Sequence, residues 1–147
     1  MQALGLLDQA IAIEPRYGPA LASAAICRMH LVMNGWIEEL KTSRLKAIEL
    51  ARQALETGEN DPGILVGAAF VLAYFGEDIG AMIGLGDRAL ALNPSFAHGW
   101  RISGVLRVWA GQPDLAIEHV ETSLRLSPRE RAGMPLSLMG LAYFLTR

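Results

Sequence analysis

Four stretches of this chain end alike, and their spacing restricts the fold more than any other feature of the sequence. They are Ala10-Ile-Ala-Ile-Glu-Pro15, Ala54-Leu-Glu-Thr-Gly-Glu59, Ala89-Leu-Ala-Leu-Asn-Pro94 and Ser123-Leu-Arg-Leu-Ser-Pro128. Their starts lie 44, 35 and 34 residues apart. A recurring period in this range marks one supersecondary unit stacked along the chain, because a single unit cannot bury its apolar faces alone.

Apolar periodicity and its punctuation divide the chain into helices. Residues 2–14 form one. Residues 18–34 form the next, with Pro19 tolerated in the opening turn. Gly35-Trp36 opens a long loop, Thr42 or Ser43 caps a helix over 43–57, and Gly58 closes it. Asp61-Pro62 is a cap followed by proline at the first helical position, opening 62–75. After a Gly76 turn, Asp78 opens 78–92. Residues 95–110 and 113–126 form the clearest pair, joined by Gly111-Gln112-Pro113-Asp114. Residues 134–147 complete the set.

In the stretch 97–128, Trp100, Gly104, Ala116, Ser123 and Pro128 fall on a signature spacing. The chain resembles the tetratricopeptide family on these residues, and the resemblance spans nearly its whole length. It implies an all-α, right-handed superhelix of about seven helices in antiparallel pairs. The divisions are a half repeat over 1–15, a repeat over 16–59 with a long internal loop, repeats over 60–94 and 95–128, and a half repeat over 129–147. Gly104 and Ala116 are small where the helices of one pair cross, and Trp100 is large where the first helix packs on its neighbours. Ala89, Pro94 and Pro128 hold the matching crossing and turn positions. The sequence departs from the pattern at Ser103, where leucine is usual, and at Arg107, where tyrosine is usual. In the preceding copy Leu65, Ala69 and Met82 replace the usual Trp, Gly and Ala. About ten extra residues in the first full repeat fall around Asn34 to Ser43. In the last helix, Gly140 and Tyr143 match the signature glycine and tyrosine.

The chain thus begins and ends in mid-repeat, and the expectation is a piece of a longer protein truncated at both ends. The uncovered faces would be Leu4, Leu7 and Ile11 at one end, and Leu138, Leu141, Tyr143 and Leu145 at the other. Self-association through these terminal helices is expected.

Composition narrows the function. Apolar residues make up 52% of the 147 and charged residues 19%, which suits a folded chain. A net charge of -2 argues against a nucleic-acid module, which needs a basic face to displace counterions. Mean hydropathy is high at +0.28. The longest apolar run, Ile64 to Phe75, is nevertheless too short for a membrane span, which needs about 20 residues. The first residues lack the basic start and small-residue cleavage site of a signal peptide. Cys27 is the only cysteine, so neither an internal disulfide nor a cysteine zinc site is available, and a cytoplasmic setting is expected.

No constellation points to catalysis. Gly84-Leu-Gly86-Asp-Arg-Ala89 fits a loose dinucleotide pattern, but it lies inside a helix, with no acidic residue between Asp87 and Asp114. His30, His98 and His119 have no second ligand at metal spacing, and His119 is expected on a solvent-facing stripe beside Glu118 and Glu121. Lys41, Arg44, Lys46 and Glu49 read as a solvated helix face. No cofactor or metal is expected, and the chain is read as non-enzymatic.

In the family that the chain resembles, the first helices of successive repeats line a concave face. Carried onto this sequence, those slots hold Ile26, Met29 and His30, then Val66, Phe70 and Tyr74, then Arg101, Val105 and Trp109. They imply an apolar, aromatic groove for a peptide, a protein or another domain of the same chain. The lysine and asparagine clamp that some members use for C-terminal carboxylates is absent, since its slots hold Ala22, Ile26, Val66, Phe70 and Arg101. In style, the stretch from Asp87 to Glu130 and the closing Gly140-Leu-Ala-Tyr-Phe144 resemble a bacterial subgroup. There the repeats follow a nucleotide cyclase or a winged-helix regulator domain, which implies a regulatory module of a larger signalling protein. The rival reading is a structural spacer, with the same aromatics buried between helices.

Overall fold

The structure, a computed structural model, describes residues 2–37, 39–130 and 133–146, with the side chain of Glu130 outside the description. It is all-α. Eight α-helices follow one another: α1 (Gln2–Ile13), α2 (Gly18–Met33), α3 (Leu40–Thr57), α4 (Pro62–Tyr74), α5 (Ile79–Leu92), α6 (Ala97–Trp109), α7 (Pro113–Leu126) and α8 (Met134–Leu145). A 3-10 turn at Pro128–Glu130 precedes α8. Each of the helical segments marked out in the sequence forms a helix among the described residues, in line with the expected count of about seven.

Local chemistry accounts for most boundaries. The Asp61 carboxylate accepts from the Gly63 and Ile64 backbone amides at 2.8 and 3.1 Å, and Pro62 occupies the first turn of α4. The Asp78 carboxylate accepts from the Ala81 amide at 2.7 Å and starts α5. The ends of α2, α4 and α6 share one stop. Gly35, Gly76 and Gly111 have φ of 66, 92 and 71°, which L side chains rarely adopt. The amide that follows each glycine closes back on the helix: Trp36 on Leu31, Glu77 on Leu72 and Gln112 on Arg107.

The first full repeat differs from expectation. Helix α3 begins at Leu40, not Ser43, and neither Thr42 nor Ser43 caps it. Its cap position is Glu39, without a side-chain hydrogen bond, while Ser43 lies buried inside the helix. The extra residues are shared out: α2 has 16 residues against 13 in α4, α3 has 18 against 14 in α5, and the connection 34–39 is only slightly longer than 75–78. The connection 127–133, which carries the 3-10 turn, is longer. Helix α3 is held by its apolar face of Ala47, Leu50, Ala51 and Ala54 rather than by a cap.

Short connections make neighbouring helices antiparallel. The packed pairs are α2 with α3, α4 with α5, and α6 with α7. Each of α3, α5 and α7 also packs on the next even-numbered helix. The even helices touch along a second direction, α2 on α4, α4 on α6 and α6 on α8, with no comparable contacts among α3, α5 and α7. The even layer is therefore the inner side of the curve. Helix α4 lies at its centre, and every residue from Ile64 to Leu72 is buried. This explains the apolar run: α4 is buried all round by protein. Among the described residues, no helix is long and apolar enough to cross a membrane.

The terminal helices correct the expectation about which residues stay open. Leu4, Leu7 and Ile11 of α1 pack against the core through α2, and Leu138 of α8 is buried. The open large side chains are Leu6 and Ile13 on α1, and Met134, Leu136 and Phe144 on α8 together with the expected Leu141, Tyr143 and Leu145.

Candidate interaction groove

The nine groove candidates do not form one open surface. Met29 is fully buried and Val66 nearly so, and both belong to the core. Helices α2 and α4 pack on each other, so slots that face a groove in a looser stack are closed here. Val105 is also buried. Ile26 is half-buried and rests against α4 at Gly67, where a Cβ would come within 3.1 Å of its Cδ1. Arg101 is half-buried, with Nη2 2.6 Å from Nδ1 of His98.

The remaining four gather. Trp109, the last residue of α6, is 43% exposed. Its ring stacks on Phe70 of α4, with centroids 5.6 Å apart and planes 13° from parallel. Phe70 is only 7% exposed, so it forms the floor. Tyr74, one turn further along α4, tilts against Trp109 at 6.2 Å. His30 of α2 meets Phe70 edge-on at 6.4 Å. Three consecutive inner helices thus contribute one row of rings. Stacked and edge-on pairs are each worth about 0.5–1.5 kcal/mol beyond area burial, so the exposed indole is held in place before any partner arrives.

Beside Trp109 lies a cleft of about 460 Å³, lined by Ala73, Tyr74, Gly76, Glu77, Ile79 and Trp109. Its volume suits one large apolar side chain or a short peptide segment. The rim is fixed from outside. Arg52 of α3 pairs with the Glu77 carboxylate, and Arg44 donates to the Phe75 carbonyl at 3.0 Å with its guanidinium over the Phe75 ring. Arg44 is therefore a brace between α3 and the end of α4, and not merely part of a solvated face. Sequence reasoning missed Glu77 and Ile79 because one lies in the turn after α4 and the other is the first residue of α5. The available signal was Gly76, whose sharp stop turns both residues back toward Trp109.

The crossing residues gather on α5, α6 and α7. Ala116 and Ala89 are fully buried. A Cβ on Gly104 would lie 2.8 Å from Val120 Cγ2 and 3.3 Å from the Ala116 carbonyl oxygen, so α6 and α7 meet backbone to backbone there. Trp100 donates from Nε1 to the Pro94 carbonyl at 2.8 Å, and its ring meets His119 edge-on at 4.8 Å. Pro128 opens the 3-10 turn.

The two departures from the repeat pattern compensate each other. Buried Arg107 donates to Ser103 Oγ at 2.6 Å and to the Asp87 carboxylate at 2.8 Å. Ser103 Oγ also lies 3.1 Å from His119 Nδ1. The Ser103 hydroxyl thus accepts from Arg107 and shares a hydrogen bond with His119 Nδ1, linking α6 to α7. His119 is half-buried rather than solvent-facing. Burial, and then the Arg107 charge, lower its pKa to about 4, against an opposing pull from Asp87. The Ser103 hydroxyl is wholly buried, so the pair joins helices and presents no nucleophile. The Gly84–Ala89 pattern lies inside α5, with Gly86 buried against Leu106 and Ser103.

No protein-family model matches the sequence, and no curated protein sequence matches it. The fold is shared by solved structures. One is TTC0263, a thermophilic TPR protein of Thermus thermophilus, with a TM-score of 0.72 at 18% identity over 97% of this chain and 71% of that one. Another is MamA, with a TM-score of 0.65 at 20% identity over 96% of this chain and 75% of that one. A third is the MamA RS-1 ArsTM double mutant, at 0.58 and 23% over 81% and 66%. The chain therefore has a tetratricopeptide-like fold, an all-α superhelix of packed helix pairs.

Proposed function

We propose that the chain is a non-catalytic interaction module that captures an apolar side chain of a protein or peptide in the cleft beside Trp109. The observation that carries this is the exposed indole stacked on the buried Phe70 ring and walled by Tyr74. A rigid aromatic at the mouth of an apolar cleft is the usual anchor of a protein interface. The occupant is an amphipathic helix, an extended peptide or another domain of the same polypeptide. Resemblance to the bacterial subgroup supports the finer reading, a regulatory module of a cytoplasmic signalling protein such as a nucleotide cyclase. The repeat divisions at 15, 59, 94 and 128 belong to the same proposal.

The test is selection of displayed random peptides on the immobilised protein, followed by counter-screening on Trp109→Ala. Peptides that bind the parent and lose at least tenfold in affinity on the variant support the groove. The burial of Met29 and Val66 favours the rival spacer reading, and a selection that returns no Trp109-dependent peptide would establish it over the groove.

A further inference from the structure

Arg28 and Arg107 stand at one position of the repeat. The endings that start at Ala10 and Ala89 lie 79 residues apart, and the same shift carries Asp8 to Asp87 and Arg28 to Arg107. Both arginines reach back to the acid on the preceding helix, Arg28 to Asp8 at 3.2 Å and Arg107 to Asp87 at 2.8 Å. Their surroundings then diverge. Ala24 stands where Ser103 takes Nη1 of Arg107, and Leu50 stands where His119 completes that network. Arg28 therefore binds Asp8 through Nη2 alone. The Nε of both arginines is buried without a partner, so Nη1 is what differs: among the described residues, that of Arg28 has no acceptor. The Arg28 side chain is only 18% exposed, so open solvent does little to satisfy it.

The space beside Arg28 is a cleft of about 580 Å³ on the pair α2–α3. Its wall runs from Arg28 of α2 through Trp36 and Ile37 of the connection to Ser43 and Lys46 of α3. Every lining residue falls between 28 and 46, so no terminal helix forms it. Ser43 is 4% exposed, and among the described residues its hydroxyl has no hydrogen-bond partner. Two polar groups with unspent capacity therefore sit on one cleft, where leaving them unsatisfied is costly. The rest of the wall is apolar: Trp36 is 73% exposed and Ile37 half-buried. The charged lining is Arg28 and Lys46 against Glu39, which is exposed at the rim, so positive charge is in excess. Lys46 also pairs with Glu49 at 3.0 Å, an exposed contact that contributes little.

We infer that the α2–α3 cleft binds a small organic carboxylate with an apolar body. One carboxylate oxygen accepts from Nη1 of Arg28 and the other from the Ser43 hydroxyl, while the body lies against Trp36 and Ile37. An ionised acceptor makes the strongest use of a guanidinium donor, and Asp8 holds Arg28 in place from the other side. The volume is that of a small-molecule site. A doubly charged phosphate would meet Glu39 with less to balance it and would leave the apolar wall unused, so a single carboxylate is the better match. The cleft shares no residue with the one beside Trp109, and the inference does not rest on peptide capture there.

Isothermal titration calorimetry of the full 147-residue chain with phenylacetate and with octanoate tests this, with phenylacetamide and inorganic phosphate as controls. Both acids should bind saturably at one site, and both controls at least tenfold more weakly. Arg28→Met should weaken the acids at least tenfold and Ser43→Ala at least fivefold. Ser43→Ala removes only a hydroxyl from inside a helix, so it keeps the fold even where Arg28→Met, which breaks the tie to Asp8, does not. In heteronuclear NMR spectra the indole N–H signal of Trp36, identified by its loss in Trp36→Phe, should move with added acid, while those of Trp100 and Trp109 stay. Three results would overturn the proposal. The first is no saturable binding of either acid up to about 10 mM. The second is phenylacetamide or phosphate binding as well as the acids, which removes the carboxylate or the apolar body from the ligand. The third is binding that Ser43→Ala leaves unchanged, which places the ligand elsewhere.

Discussion

Gly104 and Gly140 occupy the same position of the repeat pattern, yet the same substitution should move stability in opposite directions. Replacing a helical glycine with alanine removes backbone freedom from the unfolded chain and gains about 0.5–1 kcal/mol where space allows. At Gly140 nothing lies within 4 Å of the new methyl, so the gain should appear in full. At Gly104 the methyl would meet Val120 Cγ2 at 2.8 Å, the Ala116 carbonyl oxygen at 3.3 Å and Leu138 Cδ2 at 3.5 Å. Val120 can turn, but the carbonyl is backbone and yields only if α7 moves. Overpacking a close contact costs roughly 1–3 kcal/mol, which outweighs the propensity gain by about 1–2 kcal/mol. In a chain of this size about 1 kcal/mol shifts Tm by roughly 2–4 °C. Gly104→Ala should therefore melt about 2–8 °C below the parent, and Gly140→Ala slightly above it. Melting followed by circular dichroism at low micromolar concentration avoids any contribution from association. A Gly104→Ala protein that melts with or above the parent would refute the assignment of the crossing and with it the register of the repeats.

Ala116→Leu should be more damaging than Gly104→Ala, because a fully buried alanine at the crossing has no room for three further carbons; the same melts compare the two. Phe70→Ala should cost about 3–5 kcal/mol because the ring is buried, whereas Trp109→Ala should leave the melt within about 1 kcal/mol of the parent; denaturant titration separates them. Stability should fall with acidification through His119. Above the unfolded imidazole pKa of 6.5 both states are neutral; between 6.5 and the folded value of about 4 the unfolded chain takes up the proton first, and below that both are charged. Because the ring is half exposed, the loss should be on the order of 1 kcal/mol, and His119→Gln should remove this part of the pH dependence of Tm.

Where a boundary rests on one residue's own chemistry, it was legible in the sequence. Asp61 with Pro62, Asp78, Pro113 and the glycines at 35, 76 and 111 act within a turn, and each stands where reading the chain places it. The start of α3 was not legible, because no side chain caps it and a face of alanines and Leu50 far from its first turn decides where it lies. Depth was also hidden. The slots of Met29 and Trp109 follow one rule of spacing, but Met29 is fully buried in the core while Trp109 ends its helix beside an open cleft. Spacing alone therefore indicates direction and leaves exposure undetermined. The meaning of Ser103 and Arg107 required a third residue, since Asp87, which makes a buried arginine tolerable, belongs to a different helix.

The contrast between α4, buried along its length, and α1, with no buried residue, bears on how the molecule responds to load. Opening α1 breaks one helix face and the Asp8–Arg28 pair, while opening α4 exposes apolar surface on four neighbouring helices. Local opening free energies should accordingly climb from the amino terminus toward the middle, and backbone amides of α1 should exchange with solvent long before those of α4. A pull applied through the first residues would peel α1 away at low force while Phe70 and Trp109 stay stacked. Mechanical tension on that end would then release a helix without emptying the cleft.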